Sequence, residues 1–386
     1  MERLVTSNLK LGIIAGGQLG KMLIHEASKW DISTVVLDMD ENCPASGVAS
    51  AFVKGNHLDF NTVYNFGQKV DVLTFELEDI NLEALFKLKQ EGAKVIPDPK
   101  ALQLISDKGL QKDFYHQNNF PTSPYKLYDS KKEIMAAIKE KKITYPFVQK
   151  LRKGGYDGRG VAVIESQRDL PKLLMGKSVV EEKIDIEREL SVIAARNGND
   201  EVRCFPPVDM VFNREANLVE MLVCPAMVTQ EQVKEMKLLT GRLIRELDIV
   251  GLLSVEFFLD KKGDLFINEV APRTHNSGHH TIESIVTSQF EQQLRAILDL
   301  PLGSTKIKTP SVMINLLGEP NHKGPVIYEG LTECMKIEGV KIHLYGKKIT
   351  RPFRKMGHLT ILADTIEEAI TKAKKVKKLI KVKSWK

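Results

Sequence analysis

Short apolar stretches alternate with helical patterns throughout the first hundred residues, and this alternation restricts the fold more than any other feature of the sequence. Leu11–Ala15 is an apolar stretch that leads into a glycine turn and then a predicted helix. Thr34–Leu37, Val70–Phe75 and Lys94–Ile96 follow as further strand patterns. Strands that alternate with helices form parallel sheets, because each helix returns the chain across one face of the sheet. The sequence therefore predicts an α/β fold with a parallel sheet over residues 1–100.

Residues 101–300 form a second predicted unit, and residues 301–386 form a third. Helices are predicted over 101–118 and 131–140, and a longer one over about 229–248. The strands predicted for the second unit surround a glycine-rich loop and the long helix: Pro146–Leu151, Val161–Glu165, 178–184, 189–196 and 252–270. The third unit combines short β segments with a basic turn and a terminal helix, so we expect it to be small and β-rich.

Composition and charge exclude several classes of protein. Hydrophobic residues make up 42% of the 386 residues and charged residues 27%, which is typical of a globular protein, and we see neither a membrane-spanning run nor a signal peptide. Eight lysines and no acidic residue lie in 372–386, which leaves 48 basic and 50 acidic residues elsewhere. We therefore expect a solvated basic tail and no nucleic-acid binding. The four cysteines form no CxxC pair, which indicates reduced thiols in a cytoplasmic protein.

The glycine-rich loop at 150–161, with the sequence KLRKGGYDGRGV, is the strongest single motif. Four glycines within seven residues and a strand on each side predict a hairpin loop whose amides can fold over phosphates. Its lysines and arginines supply the countercharge. Because the loop lacks the GK[ST] ending of a P-loop, it indicates a phosphate-binding loop of a different type. The alternative is a flexible hairpin without a ligand.

A second glycine motif, Ala15–Gly20, lies between a strand and a helix, and Asp38 ends the next strand. This pattern is close to a dinucleotide fingerprint, in which glycines bring the backbone near a phosphate at a helix N-terminus. A phosphate site, a nicotinamide site and a plain tight turn all remain open from this pattern alone. Phe75–Glu78 ends a further strand, where parallel sheets hold their ligands.

Glu256 and Glu269 lie on two strands joined by the polar turn 261–264. If Asp260 pairs with Leu265, then Glu256 lies directly opposite Glu269. Two acids that face each other within apolar strands repel strongly unless a cation lies between them, and magnesium prefers such oxygen ligands together with substrate phosphates. The sequence therefore predicts a magnesium site, with two exposed glutamates as the alternative.

Residues 273–280, with the sequence RTHNSGHH, follow directly. His275 and His279 have zinc-like spacing only in a helix, and Gly278 disfavours a helix, so we prefer a pocket for a small oxyanion to a zinc site. The basic turn at 347–358 is a candidate for a second phosphate, although such turns are often plain surface.

Taken together, the motifs resemble the ATP-grasp family, and within it the N5-carboxyaminoimidazole ribonucleotide synthases of purine biosynthesis. The resemblance covers nearly the whole chain. It is carried by four segments: AGGQLGKM at 15–22, KGGYDGRG at 153–160, INEVAPRTHNSGHHT at 267–281 and RPFRKMGH at 351–358. The resemblance implies an ATP-grasp fold with an N-terminal Rossmann-like domain at 1–100, an ATP-grasp domain at 101–300 and a small C-terminal domain at 301–386. Ala15 departs from the family pattern, which has glycine there.

The resemblance also implies the reaction. ATP, bicarbonate and 5-aminoimidazole ribonucleotide would give N5-carboxyaminoimidazole ribonucleotide, ADP and phosphate through carboxyphosphate, with magnesium, or manganese as an alternative. It implies a cytoplasmic homodimer with no nucleic-acid or membrane partner, and a separate mutase that uses the product. The rivals are another ATP-grasp ligase, such as a formate-dependent glycinamide ribonucleotide transformylase, a non-catalytic nucleotide-binding module and a nicotinamide dehydrogenase.

The resemblance implies four groups of site residues. The expected ATP-binding residues include the loop that would close over the phosphates: Lys108, Lys150, Gly155, Tyr156, Asp157, Gly158, Arg159, Gly160, Val161, Glu181, Glu182, Lys183, Ile184, Glu189, Asn268 and Glu269. The expected metal ligands are Glu256 and Glu269. The residues expected around bicarbonate or carboxyphosphate are Arg159, Arg273, His275, Asn276 and Ser277. The residues expected to bind the ribonucleotide are Gln18, Glu76, Tyr156 and Asp157, with its phosphate on Lys347 and Arg354.

Overall fold

The computed structural model describes residues 6–155, 160–213 and 218–385, and within these residues the strands form four sheets. The first sheet confirms the predicted parallel α/β arrangement. Its strands are β1 (Lys10–Ile14), β2 (Ser33–Asp38), β3 (Ala51–Lys54), β4 (Val72–Phe75) and β5 (Lys94–Val95). They lie in the order β3-β2-β1-β4-β5, and every pair is parallel. The helices of this region are α1 (Gln18–Ser28), α2 (Phe60–Gly67) and α3 (Leu82–Gln90).

The turn between β1 and α1 begins at Ala15, which has a φ of 72°. That left-handed conformation is one that glycine adopts freely and that costs other residues about 1–2 kcal/mol. Ala15 therefore keeps the backbone shape of the family glycine that it replaces. Its amide donates to the Leu37 carbonyl at 2.8 Å, which holds the turn against β2.

The prediction of one helix over 101–118 is wrong, because the structure has two helices, α4 (Pro99–Ile105) and α5 (Lys108–Gln117). Asp107 separates them and caps α5: its carboxylate accepts from the amides of Gly109 at 2.8 Å and Leu110 at 3.3 Å. An aspartate that bonds to the backbone in this way favours a helix start over a helix interior. The break places Lys108 in the first turn of α5.

The second sheet is antiparallel and carries the glycine-rich loop between two of its strands. Its elements are β6 (Tyr125–Tyr128), α6 (Lys131–Lys139), β7 (Phe147–Leu151), β8 (Val161–Ile164) and β9 (Ser178–Glu182). The strand order is β6-β9-β7-β8, and side chains from α6 and the sheet form one buried cluster. We call β6–β9 the small sheet.

The largest sheet has nine strands. Its elements in chain order are β10 (Ile186–Arg196), β11 (Val202–Cys204), β12 (Val208–Asn213), β13 (Leu218–Cys224), α7 (Gln230–Glu246), β14 (Gly251–Asp260), β15 (Leu265–Ala271), α8 (Thr281–Ser284), α9 (Gln289–Ile297) and β16 (Ser311–Leu317). The two strands predicted within 252–270 are β14 and β15, and the predicted long helix is α7.

The remaining elements are β17 (Gly324–Glu329), α10 (Leu331–Met335), β18 (Val340–Leu344), β19 (Ile349–Thr350), β20 (Lys355–Leu362), α11 (Ile366–Leu379) and β21 (Lys381–Ser384). The large sheet runs β15-β14-β10-β12-β13-β16-β20-β18, with β11 beside β10, so it continues across residue 300 through the pairing of β13 with β16. The domain boundaries at 100 and 300 stay a prediction. The fourth sheet is β19-β17-β21.

The lysine-rich segment is folded rather than a loose tail. It forms most of α11, whose apolar side buries Ala373 and Val376, and then β21, which pairs with β17. Lys377 pairs with Glu220 at 2.7 Å and Lys383 with Glu329 at 2.7 Å. The lysines therefore lie on the outer side of a packed element. None of the helices in the described parts of the chain is long and apolar enough to cross a membrane.

Candidate active site

Glu256 and Glu269 face each other across the β14–β15 hairpin, as the sequence predicts. Burial raises the pKa of Glu256 to about 8, and the negative charge of Glu269 adds to the shift. An ion pair with Lys108 lowers the pKa of Glu269 to about 2. At neutral pH the two carboxyl groups therefore share one negative charge, which Lys108 balances. A cation supplied from outside would let both ionise.

The register that creates this pair differs from the predicted one. Asp260 lies opposite Asp264, its amide donating to that carbonyl at 3.0 Å, and Leu265 pairs one residue earlier than predicted. A β-bulge then shifts the register between Glu256 and the next residue of β14, and Asn268 is the extra residue on β15. A bulge turns two successive side chains toward one side of a sheet. This is how Asn268 and Glu269 both reach the site.

Two lysines from different elements meet at these residues. Lys108 from α5 pairs with Glu269, and Lys150 from β7 donates to Asn268 Oδ1 at 2.7 Å. Lys150 also contacts the buried carboxylate of Glu181 at 3.1 Å. Five predicted ATP-binding residues therefore lie in one connected network. Positive charge beside paired carboxylates suits a magnesium–nucleotide complex, whose phosphates need such countercharge.

Arg273 lies next to this network with one donor that has no partner. Its Nη2 pairs with Glu78 at 2.8 Å and its Nη1 donates to the Thr274 carbonyl at 3.0 Å. Its Nε is buried and makes no hydrogen bond within the described residues. A buried donor without an acceptor is costly, so it indicates an acceptor that arrives with a ligand. A small oxyanion is the natural candidate, as the sequence predicts.

The segment after Arg273 carries three further predicted residues. His275 Nε2 lies 3.7 Å from Glu256, and its Nδ1 lies 2.9 Å from the Ser277 hydroxyl. Asn276 exchanges amide hydrogen bonds with Asn315 at 2.9 and 3.0 Å. Burial first and the Arg273 charge second lower the pKa of His275 to about 3. The imidazole is therefore neutral at pH 7, so one ring nitrogen can donate a hydrogen bond and the other can accept one.

A zinc site is not supported. His279 is fully buried, its Nδ1 lies 3.3 Å from Gln289, and its ring packs 4.8 Å from that of His358. No group of three or more histidine, cysteine or acidic side chains among the described residues could hold a metal ion. The alternative to zinc, an oxyanion pocket, is the one that fits the geometry.

The amides of the Ala15–Gly20 turn are taken by the protein's own carboxylates. Gly16 donates to Asp38 at 2.7 Å, while Gly17 and Gly20 donate to the two oxygens of Glu76, the latter at 2.5 Å. Burial raises the pKa of Glu76 to about 7, and these hydrogen bonds oppose the rise. Since an internal carboxylate lies where a dinucleotide phosphate would bind, the structure favours the tight-turn interpretation over a nicotinamide or phosphate site.

Gly17→Ala tests this use of the turn. A Cβ at this position would lie 2.1 Å from Glu76 Oε1, so the carboxylate has to leave both amides. We expect a loss of about 2 kcal/mol in unfolding free energy from the two charge-assisted hydrogen bonds, measured by urea denaturation. Gly47→Ala is the control, since its Cβ would meet nothing within 4 Å. Equal stability of the two variants would contradict the prediction.

The basic turn contacts the first sheet's region, close to α1. Lys21 Nζ on α1 lies 3.3 Å from the Leu344 carbonyl, and Lys348 donates to Asn42 at 2.7 Å. Lys347 donates to the Lys355 carbonyl at 2.8 Å, and Arg354 to the Ile349 carbonyl at 2.5 Å. Gln18 begins α1 on the same side of the molecule as Lys21. The basic turn therefore lies near the N-terminal region that carries Gln18, and the grouping of these residues around a ribonucleotide stays a prediction.

Four predicted loop residues, Tyr156, Asp157, Gly158 and Arg159, lie outside the described residues. At the base of the loop, Gly160 accepts from the Leu151 amide at 2.8 Å, and Val161 pairs with Lys150. Gly155 lies just before the undescribed residues, and a Cβ at Gly160 would lie 3.2 Å from the Cα of Gly155, so the two glycines allow a close backbone approach.

The strand end predicted to border adenine is partly solvent-exposed. Glu181 is buried, whereas Glu182 and Lys183 are exposed, and Lys183 pairs with Glu165 at 2.6 Å. Ile184 is half-buried just beyond β9. Glu181 therefore belongs to the lysine network, and the next three residues line the edge of the cleft.

Glu189→Gln should change both stability and nucleotide binding. Burial raises the pKa of Glu189 from 4.5 to about 7, so the folded state binds more protons than the unfolded state between these values. Wild-type stability is therefore lost as pH rises through this window, and the variant lacks that loss. We expect the variant's stability advantage to grow by about 2 kcal/mol from pH 5 to pH 8, measured by urea denaturation.

The same substitution should raise the Kd for ADP about tenfold if Glu189 holds the ribose hydroxyls. Glu187→Gln, at an exposed residue of the same strand, is the control. A stability difference that does not change with pH would contradict the first part of the prediction.

Sequence reasoning missed several residues of the site. Lys112 contacts Glu181 from α5, Asn315 anchors Asn276, and Lys21 adjoins the basic turn. Glu78, which holds Arg273, belongs to a strand end that the sequence does single out. Lys112 lies four residues after Lys108, so helical spacing alone could have placed both lysines on one face of α5.

The chain is similar to known proteins over nearly its whole length. Residues 9–106 match the family model for the ribonucleotide synthetase preATP-grasp domain, 113–290 the ATP-grasp domain, and 311–372 the phosphoribosylaminoimidazole carboxylase C-terminal domain. The chain is 36% identical to the N5-carboxyaminoimidazole ribonucleotide synthase of Aquifex aeolicus, over 97% of both chains.

Two solved structures are similar over nearly their whole length. The N5-carboxyaminoimidazole ribonucleotide synthetase of Thermotoga maritima is 41% identical with a TM-score of 0.90, covering 98% of this chain and 100% of that one. The N5-carboxyaminoimidazole synthase of Aspergillus clavatus, in complex with ADP and 5-aminoimidazole ribonucleotide, is 30% identical with a TM-score of 0.89, covering 97% and 99%. The predicted three-part α/β architecture is confirmed by these matches.

Proposed function

Since the chain belongs to the N5-carboxyaminoimidazole ribonucleotide synthase family of ATP-grasp ligases, we propose how its own residues carry out that family's reaction. The protein is an ATP-dependent carbon–nitrogen ligase that carboxylates 5-aminoimidazole ribonucleotide to N5-carboxyaminoimidazole ribonucleotide in purine biosynthesis. The observation that carries the assignment of roles is the unpartnered Nε of Arg273 beside the lysine and glutamate network.

A bicarbonate oxygen attacks the γ-phosphorus of ATP, the bond from that phosphorus to the bridging oxygen breaks, and ADP and carboxyphosphate result. The exocyclic amine then attacks the carboxyl carbon, or the CO2 released from carboxyphosphate, while phosphate leaves and the amine loses a proton. Arg273 Nε donates to the carboxylate oxygens, and the neutral His275 with Ser277 and Asn276 completes the polar wall. Such a phosphoryl transfer needs alignment and countercharge more than covalent help.

Glu256 and Glu269 fit a magnesium ion, with manganese as an alternative. They face each other, one of them is neutral only because no cation compensates it, and Asn268 adds an amide oxygen nearby. These residues would hold the metal, and the ion would supply countercharge to the phosphates. Lys108 and Lys150 hold the phosphates from the side opposite the metal. Residues 181–184 border the adenine base, and Glu189 binds the ribose hydroxyls.

The ribonucleotide binds between the first sheet and the basic turn. Gln18 and Glu76 contact its ring and ribose, and Lys347 and Arg354 hold its phosphate. Glu76 is suited to the amine because a carboxyl group with a pKa of about 7 can accept a proton as the carbon–nitrogen bond forms. Tyr156, Asp157 and Arg159 of the glycine-rich loop complete the site, which excludes water from carboxyphosphate when the loop closes.

The assignment is tested by ADP release with magnesium and ATP, with and without 5-aminoimidazole ribonucleotide, and with bicarbonate depleted or restored. We expect ADP formation to rise sharply only when the ribonucleotide and bicarbonate are both present. Stimulation by glycinamide ribonucleotide and formate instead would move the protein to the rival ligase. ATP binding without any stimulated turnover would contradict the catalytic roles.

The remaining proposals concern partners. We propose a homodimer, which size-exclusion chromatography with light scattering would test, and a cytoplasmic location. The product carries a labile N-carboxylate, so we propose that a mutase on a separate chain moves the carboxylate from nitrogen to carbon. Addition of such a mutase to the assay should convert the product to the C-carboxylated ribonucleotide.

A further inference from the structure

Lys112 is one of the most deeply buried lysines of the structure, and its ammonium group has three polar partners. It lies on α5 with 3% of its surface exposed. Its ammonium group donates to the hydroxyl of Thr122 at 2.5 Å and of Ser123 at 3.0 Å, and contacts Glu181 Oε1 at 3.3 Å. An ammonium group has three donors, so these three acceptors satisfy it completely. Lys112 therefore cannot reach a ligand directly without breaking this set.

The carboxylate that Lys112 contacts is shared with the nucleotide site. Glu181 Oε1 forms an ion pair with Lys112. Oε2 forms an ion pair with Lys150 at 3.1 Å and accepts a hydrogen bond from the Ser123 hydroxyl at 2.9 Å. Lys150 in turn donates to Asn268, the residue of the β-bulge. A continuous polar chain thus runs from Lys112 through Glu181 and Lys150 to the proposed metal ligands on β15.

Charge explains why Glu181 needs two lysines. Glu181 is buried, and burial alone would raise the pKa of its carboxyl group, but Lys150 and Lys112 outweigh burial and lower it to about 2. When ATP binds, the ammonium group of Lys150 must also interact with the phosphates, which weakens its interaction with Glu181. A second lysine that stays on Glu181 keeps the carboxylate ionised and fixed while Lys150 serves the nucleotide.

The chain also links separate sheets. Lys112 and the Thr122–Ser123 segment lie against the large sheet, since the Thr122 hydroxyl donates to the Ile267 carbonyl on β15 at 2.9 Å. Glu181 and Lys150 belong to the small sheet, which carries the glycine-rich loop. The contact therefore sets the position of the small sheet, and with it Lys150, relative to the paired glutamates.

We propose that Lys112 is a positioning residue for nucleotide binding, which acts through Glu181 to hold Lys150 in place. The inference rests on the proposed function, because it takes Lys150 as a phosphate ligand. It assigns to Lys112 no contact with ATP, metal or ribonucleotide.

The test is the Kd of magnesium–ADP, measured by calorimetry on the full chain, for Lys112→Met. We expect Kd to rise about tenfold, a scale typical of residues one contact removed from a ligand, while KM for the ribonucleotide stays within twofold. Tyr115→Phe is the matched control on the same helix, since it removes the buried hydrogen bond to Gln111 and leaves Lys112 alone. A similar loss of Tm in both variants with a change of Kd only in Lys112→Met supports the proposal.

A second comparison separates positioning from an independent effect. Glu181→Gln and the double variant with Lys112→Met should raise Kd by nearly the same factor, because both break one chain of contacts. Factors that multiply in the double variant, or a Kd for Lys112→Met no higher than for Tyr115→Phe, would overturn the proposal. If Lys112→Met does not fold, Ser123→Ala weakens the same contacts, and an unchanged Kd there would count equally against it.

The calorimetric readout needs no turnover. A wild type that binds ADP but is not stimulated by the ribonucleotide would refute the proposed function and leave the Lys112 comparison readable.

Discussion

Arg273→Met is expected to lower kcat for ribonucleotide-dependent ADP release about 1,000-fold, the upper range for loss of a donor to a developing oxyanion. The two Nη atoms of the Arg273 guanidinium group contact Glu78 and the Thr274 carbonyl. Its buried Nε has no acceptor among the described residues. We expect a ligand oxygen to be the acceptor for this donor. Because Arg273 makes no contact with the lysine network that we propose for the nucleotide, the Kd of magnesium–ADP should change by less than twofold.

Two further variants make this prediction specific. Arg273→Lys keeps the charge but loses the fork of donors, so its kcat should fall about 10- to 100-fold, between wild type and Arg273→Met. Arg242→Met is the control, since Arg242 stacks on Phe120 and donates to backbone carbonyls away from the site. A tenfold or greater loss of ADP affinity in Arg273→Met would show that Arg273 serves the nucleotide instead.

Glu269→Gln is expected to weaken magnesium-dependent turnover about 100-fold, with the loss largest at low magnesium. The substitution removes one of two facing carboxylates and takes away the anion that balances Lys108. Stability should fall by only about 1 kcal/mol, because the Glu269 side chain is 42% exposed and water screens the ion pair. The measurement is the magnesium concentration that gives half-maximal ADP release, together with urea denaturation.

Glu256→Gln is the matched variant on the opposite strand. Its carboxyl group is neutral at pH 7 without a cation, so glutamine should leave the stability of the metal-free protein nearly unchanged. Its magnesium requirement should nonetheless rise, as for Glu269→Gln. If Glu256→Gln needs no more magnesium than the wild type, the two glutamates do not form one metal site.

The two glutamates also show how a correct prediction can have a wrong premise. An assumed pairing of Asp260 with Leu265 predicts that Glu256 lies opposite Glu269, which is correct. The turn of the hairpin is nevertheless one residue shorter than assumed. The extra residue of the bulge, Asn268, compensates for this difference, so the two glutamates still face each other. The sequence contains no signal for that bulge. The extra residue, Asn268, accepts a hydrogen bond from Lys150, which lies 118 residues earlier in the chain.

Residues close together in the chain were the ones that sequence patterns could place. The α/β alternation, the glycine turn at Ala15 and the facing of Glu256 and Glu269 depend on backbone preferences and side-chain periodicity within one or two elements. These preferences act over a few residues, so they can be inferred from residues that are close together in the sequence. The family resemblance extended this to the roles of whole motifs.

Only the tertiary structure decided which distant groups meet. Lys108 and Glu269 are 161 residues apart, and Arg273 pairs with Glu78 in the loop that follows β4. It also decided that the glycine turn holds Glu76 instead of a phosphate, and that α5 begins at Lys108. These contacts depend on how whole sheets and helices pack, and packing is fixed by shape and burial over the entire chain, which no local pattern records.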